Sequence, residues 1–248
     1  VLVKTREGRP IKIEGNELSS VNGSATNARV QASVLSLYDS ARIQQPMANK
    51  KRVDWAAIDS EVPAKLAQQA AAGKKIAIVS SSVNSPSARK AIADFSAKYP
   101  TAKHVVYDAV SAYGIIKGNE MSFGRAVVPS YNFDKAEVIV SFGADFLTSW
   151  INPIEFSRQY GETRKLRNGK KTLSKHYQFE SMLSLAGANA DERVKIKPSQ
   201  QSAVVASLYN KVAAMAGGAA INAASTPIDK TLEEVAKHLV AAKGKSLV

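Results

Sequence analysis

The sequence predicts an α/β protein: a doubly wound, mostly parallel sheet flanked by helices and preceded by a short β-rich segment over residues 1–50. Three observations carry this. Short apolar runs suited to buried strands recur at KIAIVS (75–80), HVVY (104–107) and EVIVSF (137–142). Between and beyond them lie longer stretches with apolar residues at three- and four-residue spacing, the pattern of helices with one covered face. Alternation of the two patterns is that of βαβ units, whose strands pair in parallel and whose helices cover the sheet. Residues 51–248 therefore read as one Rossmann-like domain, a piece of something longer.

The elements follow in order. The first 45 residues read as short strands and turns, with Gly8, Gly15 and Gly23 as turn formers. A helix is predicted after Asp54, carrying Trp55, Ile58, Val62 and Leu66, kinked or divided by Pro63 and ended by Gly73. After the strand at 75–80, Ser85 and Pro86 open a second helix with Ala88, Ile92, Phe95 and Tyr99 on one face. A helical stretch is expected around 112–122, and a basic, polar connection with an Asn168-Gly169 turn over 158–172. Strands at 175–179 and 193–196 precede a helix capped by Pro198-Ser199 and bearing Val204, Val205, Leu208, Val212 and Met215. An Ala-Gly-rich loop (216–225) leads to a last helix, capped at Thr226-Pro227, with Ile228, Leu232, Val235 and Leu239. Lys245 to Val248 look like the start of another strand.

Composition narrows the chemistry. The chain has 248 residues, 45% of them apolar, ample for a buried core. It contains no cysteine, which excludes thiolate-held zinc, iron–sulfur ligation, disulfides and thiol nucleophiles within it. A formal charge of +13 favours anionic partners, whether nucleic acid, acidic lipid or an acidic protein surface, or is plain surface basicity. Nucleic acid is the weakest of these, because no interleaved aromatic and basic motif accompanies the charge. No run of apolar residues approaches the roughly 18 of a membrane span.

Three loops at strand ends are candidate sites, since ligands in such sheets bind outside the carboxyl ends of the strands. SSSVNSPS (80–87) offers hydroxyls and a helix N-terminus to a phosphate, or simply caps that helix. In SFGADF (141–146), Ser141 closes the strand, Gly143 would let a ligand approach the backbone, and Asp145 would accept from a ribose hydroxyl or cap the next helix. In DAVSAYG (108–114), Ser111 reads as the N-cap of a strand-to-helix turn. His104, His176 and His238 are scattered over three elements without metal-ligand spacing. The basic run RKLRNGKK (164–171) would grip phosphates or an acidic subunit, or form a solvated loop. Nucleotide and hydrolase signatures are absent.

The opening REGRPIKIEGN (6–16), Asn22-Gly23 and QASVLSLYDSARIQQP (31–46) resemble the N-terminal region of the molybdopterin oxidoreductase superfamily, except that the place of its cluster-binding cysteine, near Ala25 and Thr26, holds no thiol. With NEMSFG (119–124), VIVSFGADFLTSW (138–150) and HYQFESMLSLAGANADERVKIKP (176–198), the chain is similar to the B subunit of alternative complex III, whose pterin-like half carries no molybdenum. The resemblance implies a molybdopterin oxidoreductase-like fold and a non-catalytic scaffold on the periplasmic side of a bacterial membrane, within a quinol:electron-acceptor oxidoreductase. It implies no cofactor in this chain. Iron–sulfur clusters and haem c belong to the rest of the subunit and its neighbours: a ferredoxin-like half, a multihaem cytochrome c subunit and integral membrane quinol-binding subunits. The alternative is a catalytic domain that binds a molybdopterin dinucleotide through Ser141, Gly143 and Asp145, with Ser111 on the metal.

Overall fold

The computed structural model describes residues 1–166, 169 and 171–248. In chain order the elements are β1 (Leu2–Arg6), β2 (Arg9–Glu14), α1 (Ala28–Ala32), β3 (Met47–Ala48), β4 (Lys51–Arg52), α2 (Trp55–Ala71), β5 (Ile76–Ser80), α3 (Pro86–Lys98), β6 (Ala102–Val106) and α4 (Tyr113–Phe123). Then come β7 (Val138–Phe142), α5 (Pro153–Thr163), β8 (Lys175–Glu180), α6 (Leu185–Asn189), β9 (Glu192–Lys195), α7 (Gln201–Ala216), α8 (Asp229–Ala241) and β10 (Ser246–Leu247). Two compact units emerge: Val1–Ser36 together with Pro129–Val248, and Leu37–Val128. This division departs from the boundary expected at residue 50. Residues of the opening segment pack on the late part of the chain: a Cβ on Gly23 would lie 3.3 Å from Nε of Arg158, on α5. Among the described residues, no helix is long and apolar enough to cross a membrane.

The larger unit holds a four-stranded, all-parallel sheet in the order β10-β7-β8-β9. Side chains alternate across it as the pleat requires. Val138, Val140, Tyr177 and Phe179 face α7 and α8, where they join Val204, Leu208, Leu232, Val235 and Leu239 in one core. Ile139 faces the other way, into a second core with Phe133, Phe146, Phe156, Tyr160 and Ala186 from α5, α6 and their approaches. Helices therefore cover both faces of the sheet. The β1–β2 hairpin turns through Glu7 and Gly8 with φ of 50° and 76°, the positive pair that a two-residue type I′ turn needs. Gly15 serves a different purpose from a turn: a Cβ there would stand 1.8 Å from the carbonyl oxygen of Ser24.

In the smaller unit β5 and β6 pair in parallel as a sheet of their own, so the single sheet expected from the sequence is two. Its core is thin. Tyr99 is the one buried hydrophobic side chain, in ring contact with Phe95 at 4.9 Å. Helix α2 runs unbroken through Pro63, with Trp55 and Val62 exposed and Ile58 and Leu66 half-buried. Residues 79 and 105 pair in register and leave both valines in solvent, 69% and 47% exposed.

Three local expectations are corrected. The basic connection assigned to 158–172 begins as helix: α5 runs to Thr163 and buries Phe156, Gln159, Tyr160 and Thr163 at three- and four-residue spacing beneath polar neighbours. The opening is not β-rich throughout, because Asn27 Oδ1 accepts from the Val30 amide and starts α1, which continues into a 3₁₀ turn at Ser33–Leu37. Thr226 does not cap α8; the helix starts at Asp229 behind Ile228, and the Thr226 hydroxyl is buried without a hydrogen-bond partner. The Asn168-Gly169 turn falls partly outside the described residues, as do Arg167 and Lys170 of the basic run.

Candidate functional site

Strand order locates the crevice where a ligand would lie. From β7 the chain moves to β8 and β9 on one side, then returns through α7 and α8 to β10 on the other. The connections diverge at β7, so the switch point lies outside the carboxyl ends of β7 and β10. The loop there is the predicted Ser141–Phe146 stretch. Gly143 adopts φ of +67° and donates its N–H to the Phe179 carbonyl at 2.8 Å. Ser141 Oγ donates to the Ala144 carbonyl at 3.1 Å. Asp145 Oδ1 accepts from the Ala186 amide at 3.1 Å, so it caps α6, across the sheet, and not the helix that follows it in sequence. The Asp145 carbonyl accepts from the amides of Thr148, Ser149 and Trp150, which folds the loop back on itself.

Aromatic side chains fill most of what remains. Phe133 stacks on Phe146 at 4.4 Å between ring centres, and Tyr131 lies 5.2 Å from Trp150. They leave a recess of about 170 Å³, walled by those rings together with Ser141 and Val248. Small-molecule sites usually offer about 300–1,000 Å³. That recess alone is smaller than this range.

A polar column on β8 went unrecognised in the sequence. His176, Gln178 and Glu180 alternate with Tyr177 and Phe179, so all three lie on the α5/α6 face, and all three are buried. Tyr160 Oη lies 3.2 Å from His176 Nδ1 and 3.0 Å from the Asn189 carbonyl, two acceptors for its one proton. His176 Nε2 faces Gln178 Oε1 at 3.2 Å, and the Gln178 amide donates to Glu180 Oε2 at 3.3 Å. Glu180 then accepts from the amide and hydroxyl of Ser184 and from Arg193 Nε. An ionised Glu180 orients the Gln178 amide, which in turn asks for a proton on His176 Nε2. Burial pushes His176 down to about 4, keeping the ring neutral. Burial also raises Glu180, but the Ser184 and Arg193 hydrogen bonds outweigh it and hold the carboxyl below its ordinary range. The same balance lowers Asp191, which binds Arg164 through both oxygens at 2.9 and 3.0 Å and accepts from the His176 amide at 2.7 Å. The alternating KHYQFE pattern was the available signal: a strand with aromatics on one face and polar groups on the other is half-exposed unless those groups satisfy each other.

In the smaller unit the predicted loops are likewise tied down. Ser85 Oγ accepts from the Ala88 amide, and the amide and hydroxyl of Ser82 both donate to Asp108. Those two bonds lower the Asp108 carboxyl. Ser111 is exposed, and its Oγ accepts from the Tyr113 amide at 3.0 Å at the entrance to α4. Of the histidines, His104 bonds Ser80 at 2.8 Å and His238 bonds Tyr177 at 2.6 Å. Among the described residues, no group of three or more His, Cys, Asp or Glu is arranged to hold a metal ion. Near the place of the superfamily's cysteine, the Thr26 hydroxyl accepts from the Gln31 amide at 2.9 Å. Of the basic run, Arg164 is bound to Asp191 and Lys165 to Glu162.

No protein-family model matches the chain, and no curated protein matches it. Solved structures do, among them acetylene hydratase from Pelobacter acetylenicus: TM-score 0.51 and 12% identity over 90% of this chain and 31% of that one. The chain spans under a third of that neighbour's length. At this identity the likeness is one of fold: a mixed α/β architecture with a parallel sheet and covering helices.

Proposed function

We propose that this chain is a non-catalytic scaffold: the molybdopterin oxidoreductase-like part of the B subunit of an alternative complex III, supporting electron transfer from quinol in a periplasm-facing assembly. One observation carries the reading. The side chains that a ligand would recruit at the strand ends, Ser141, Asp145, Ser82, Ser85, Asp108 and Ser111, are hydrogen-bonded within the protein's own loops. Aromatic packing at the switch point supports the same conclusion, and the fold likeness to acetylene hydratase supports the α/β architecture alone. The partners are the ferredoxin-like half of the subunit, a multihaem cytochrome c and membrane quinol-binding subunits. The net charge of +13 suits docking on acidic surfaces, an attraction that weakens with salt.

The test is a gentle detergent purification from native membranes through a tag on this chain, with haem, iron, molybdenum and pterin measured in the product. Haem and iron without molybdenum or pterin support the scaffold. Stoichiometric molybdenum and pterin, lost on Ser111→Ala, would overturn it in favour of a catalytic domain in which the Ser111 oxygen meets the metal. That alternative requires Ser111 to exchange its bond to the Tyr113 amide for a metal.

A further inference from the structure

At the carboxyl end of β8 the chain presents apolar side chains to solvent on a loop whose ends are fixed. Met182, Leu183 and Leu185 are 80%, 68% and 51% exposed. Scattered exposed leucines need no explanation, but three large apolar side chains within four residues form one patch. The loop is closed by a buried carboxylate: the Ser184 amide and hydroxyl donate to Glu180 at 3.2 and 2.6 Å. Ser184 Oγ in turn accepts from the Gly187 amide at 2.9 Å, which ties the far side of the loop to the start of α6. Met182 and Leu183 are thus held outward between two anchored residues.

Two lysines stand beside this tip. Lys195 pairs in register with Glu180 across β8 and β9, and Lys197 follows two residues on. Both are exposed, and neither forms an ion pair among the described residues. The carboxylates at this end are engaged within the protein. Glu180 is bound by Ser184 and Arg193, Asp145 accepts from the Ala186 amide, and Glu155 accepts from Asn152 and Gln159. An apolar tip with free ammonium groups at its rim, on a chain of net charge +13, is complementary to an anionic surface with an apolar layer beneath it. Residue types distinguish a bilayer from a protein here. Protein interfaces are depleted in lysine and draw their energy from tryptophan, tyrosine and arginine, with leucine under-represented. At a bilayer, methionine and leucine enter the acyl boundary, while lysine lays its stem in the apolar layer and its ammonium among phosphate head groups.

We propose that the Met182–Leu185 tip, with Lys195 and Lys197, docks directly on an anionic lipid bilayer. The scaffold reading holds the chain at a membrane through partner subunits, so this contact goes beyond it and is tested without them. The full chain is floated with vesicles of phosphatidylcholine alone and of equal parts phosphatidylcholine and phosphatidylglycerol, at low and high salt. Binding to the anionic vesicles, weakened by salt and slight on the neutral ones, is expected. Lys195→Gln and Lys197→Gln each weaken it about fivefold. Met182→Asp with Leu183→Asp abolishes it while the circular dichroism spectrum and urea midpoint are unchanged. Should that variant fail to fold, Leu183→Trp decides: its fluorescence shifts to the blue and is quenched by brominated lipid when the tip enters the bilayer. Absence of vesicle binding overturns the proposal. So does binding that survives the aspartate pair, or that leaves the new tryptophan unquenched, since the chain would then adsorb through its overall charge. Uptake of polyglutamate that Leu183→Asp weakens, without binding to vesicles, would give the patch to an acidic protein and overturn the assignment to lipid.

Discussion

Acid should destabilise the larger unit through His176 before its carboxylates respond. The imidazole is fully buried, and burial holds it near 4, against about 6.5 in the unfolded chain. Between those values the unfolded state binds a proton that the folded state refuses, so stability is complete above pH 6.5 and is lost as pH falls toward 4. At pH 5 the ratio of the two proton-binding terms is about 30, worth about 2 kcal/mol, whereas at pH 7 it is negligible. Groups facing the ring do not blur this window. Glu180 and Asp191 are held below their ordinary 4.5 and 3.8, so their stabilisation is lost only at lower pH; Tyr160, raised by burial, and Arg164, raised by Asp191, keep their charge states throughout. The assay is urea denaturation at pH 5, 6 and 7, followed by tryptophan fluorescence, on the natural chain and on His176→Asn. The variant pays a constant penalty for altered packing but lacks the titration, and His104 and His238 cancel because both proteins carry them. The natural chain should lose about 2 kcal/mol more than the variant between pH 7 and pH 5. Parallel curves would refute the buried, neutral histidine.

Gly187→Ala should destabilise by about 1–3 kcal/mol, because the new methyl would stand 2.0 Å from Glu180 Oε1, an atom pinned by Ser184 and Arg193. Trimming Glu180 to Ala removes the obstacle, so a double-mutant cycle on urea midpoints should show the two changes strongly non-additive; simple additivity would mean the close approach does not exist. Glu180→Leu alone should cost about 3–5 kcal/mol, since it leaves the half-buried Arg193 and the buried Gln178 amide without their acceptor, and a loss under 1 kcal/mol in the same assay would contradict the column. Asp145→Ala should cost about 1–2 kcal/mol and speed amide exchange at Ala186, in the first turn of α6, a readout that a change at the loop alone would leave untouched.

The alternation of strand and helix was legible because each buried strand is an apolar run and each covering helix repeats every three to four residues. β5, β7 and β8 fall within a residue or two of the expected spans, and Ser85 and Pro86 open α3 as their chemistry dictates. Helix α5 was hidden by composition: Arg158, Gln159, Glu162 and Arg164 surround the Phe156 and Tyr160 pair, and only the packing tells which face is covered. Whether β5–β6 joins the later strands is a matter of which elements meet in space, which periodicity does not encode. At the site, Ser141, Gly143 and Asp145 were placed at the correct strand end, yet the partner of Asp145 is 41 residues away and could not be read locally. The column on β8 was missed for the same reason, since its satisfaction depends on Tyr160, Ser184 and Arg193 arriving from three other segments.

The two faces of β8 fix its register in different ways. On one face Tyr177 and Phe179 need only shape from α7 and α8; on the other, His176, Gln178 and Glu180 accept a single register, because a slip would strand buried polar groups at a cost of about 1–3 kcal/mol each. The column ends at Glu180, which holds the start of α6 through Ser184 and reaches β9 through Arg193. Asp145 joins the loop after β7 to that same helix, and Gly143 joins it to β8. The loop after β7 and the segment after β8 are thus hydrogen-bonded to each other, and Glu180 ties them to β9. In a ligand-binding sheet of this topology, those loops keep their donors and acceptors for the guest. Here the donors and acceptors cross-link the loops, which is the support this end of the sheet gives to the proposed scaffold.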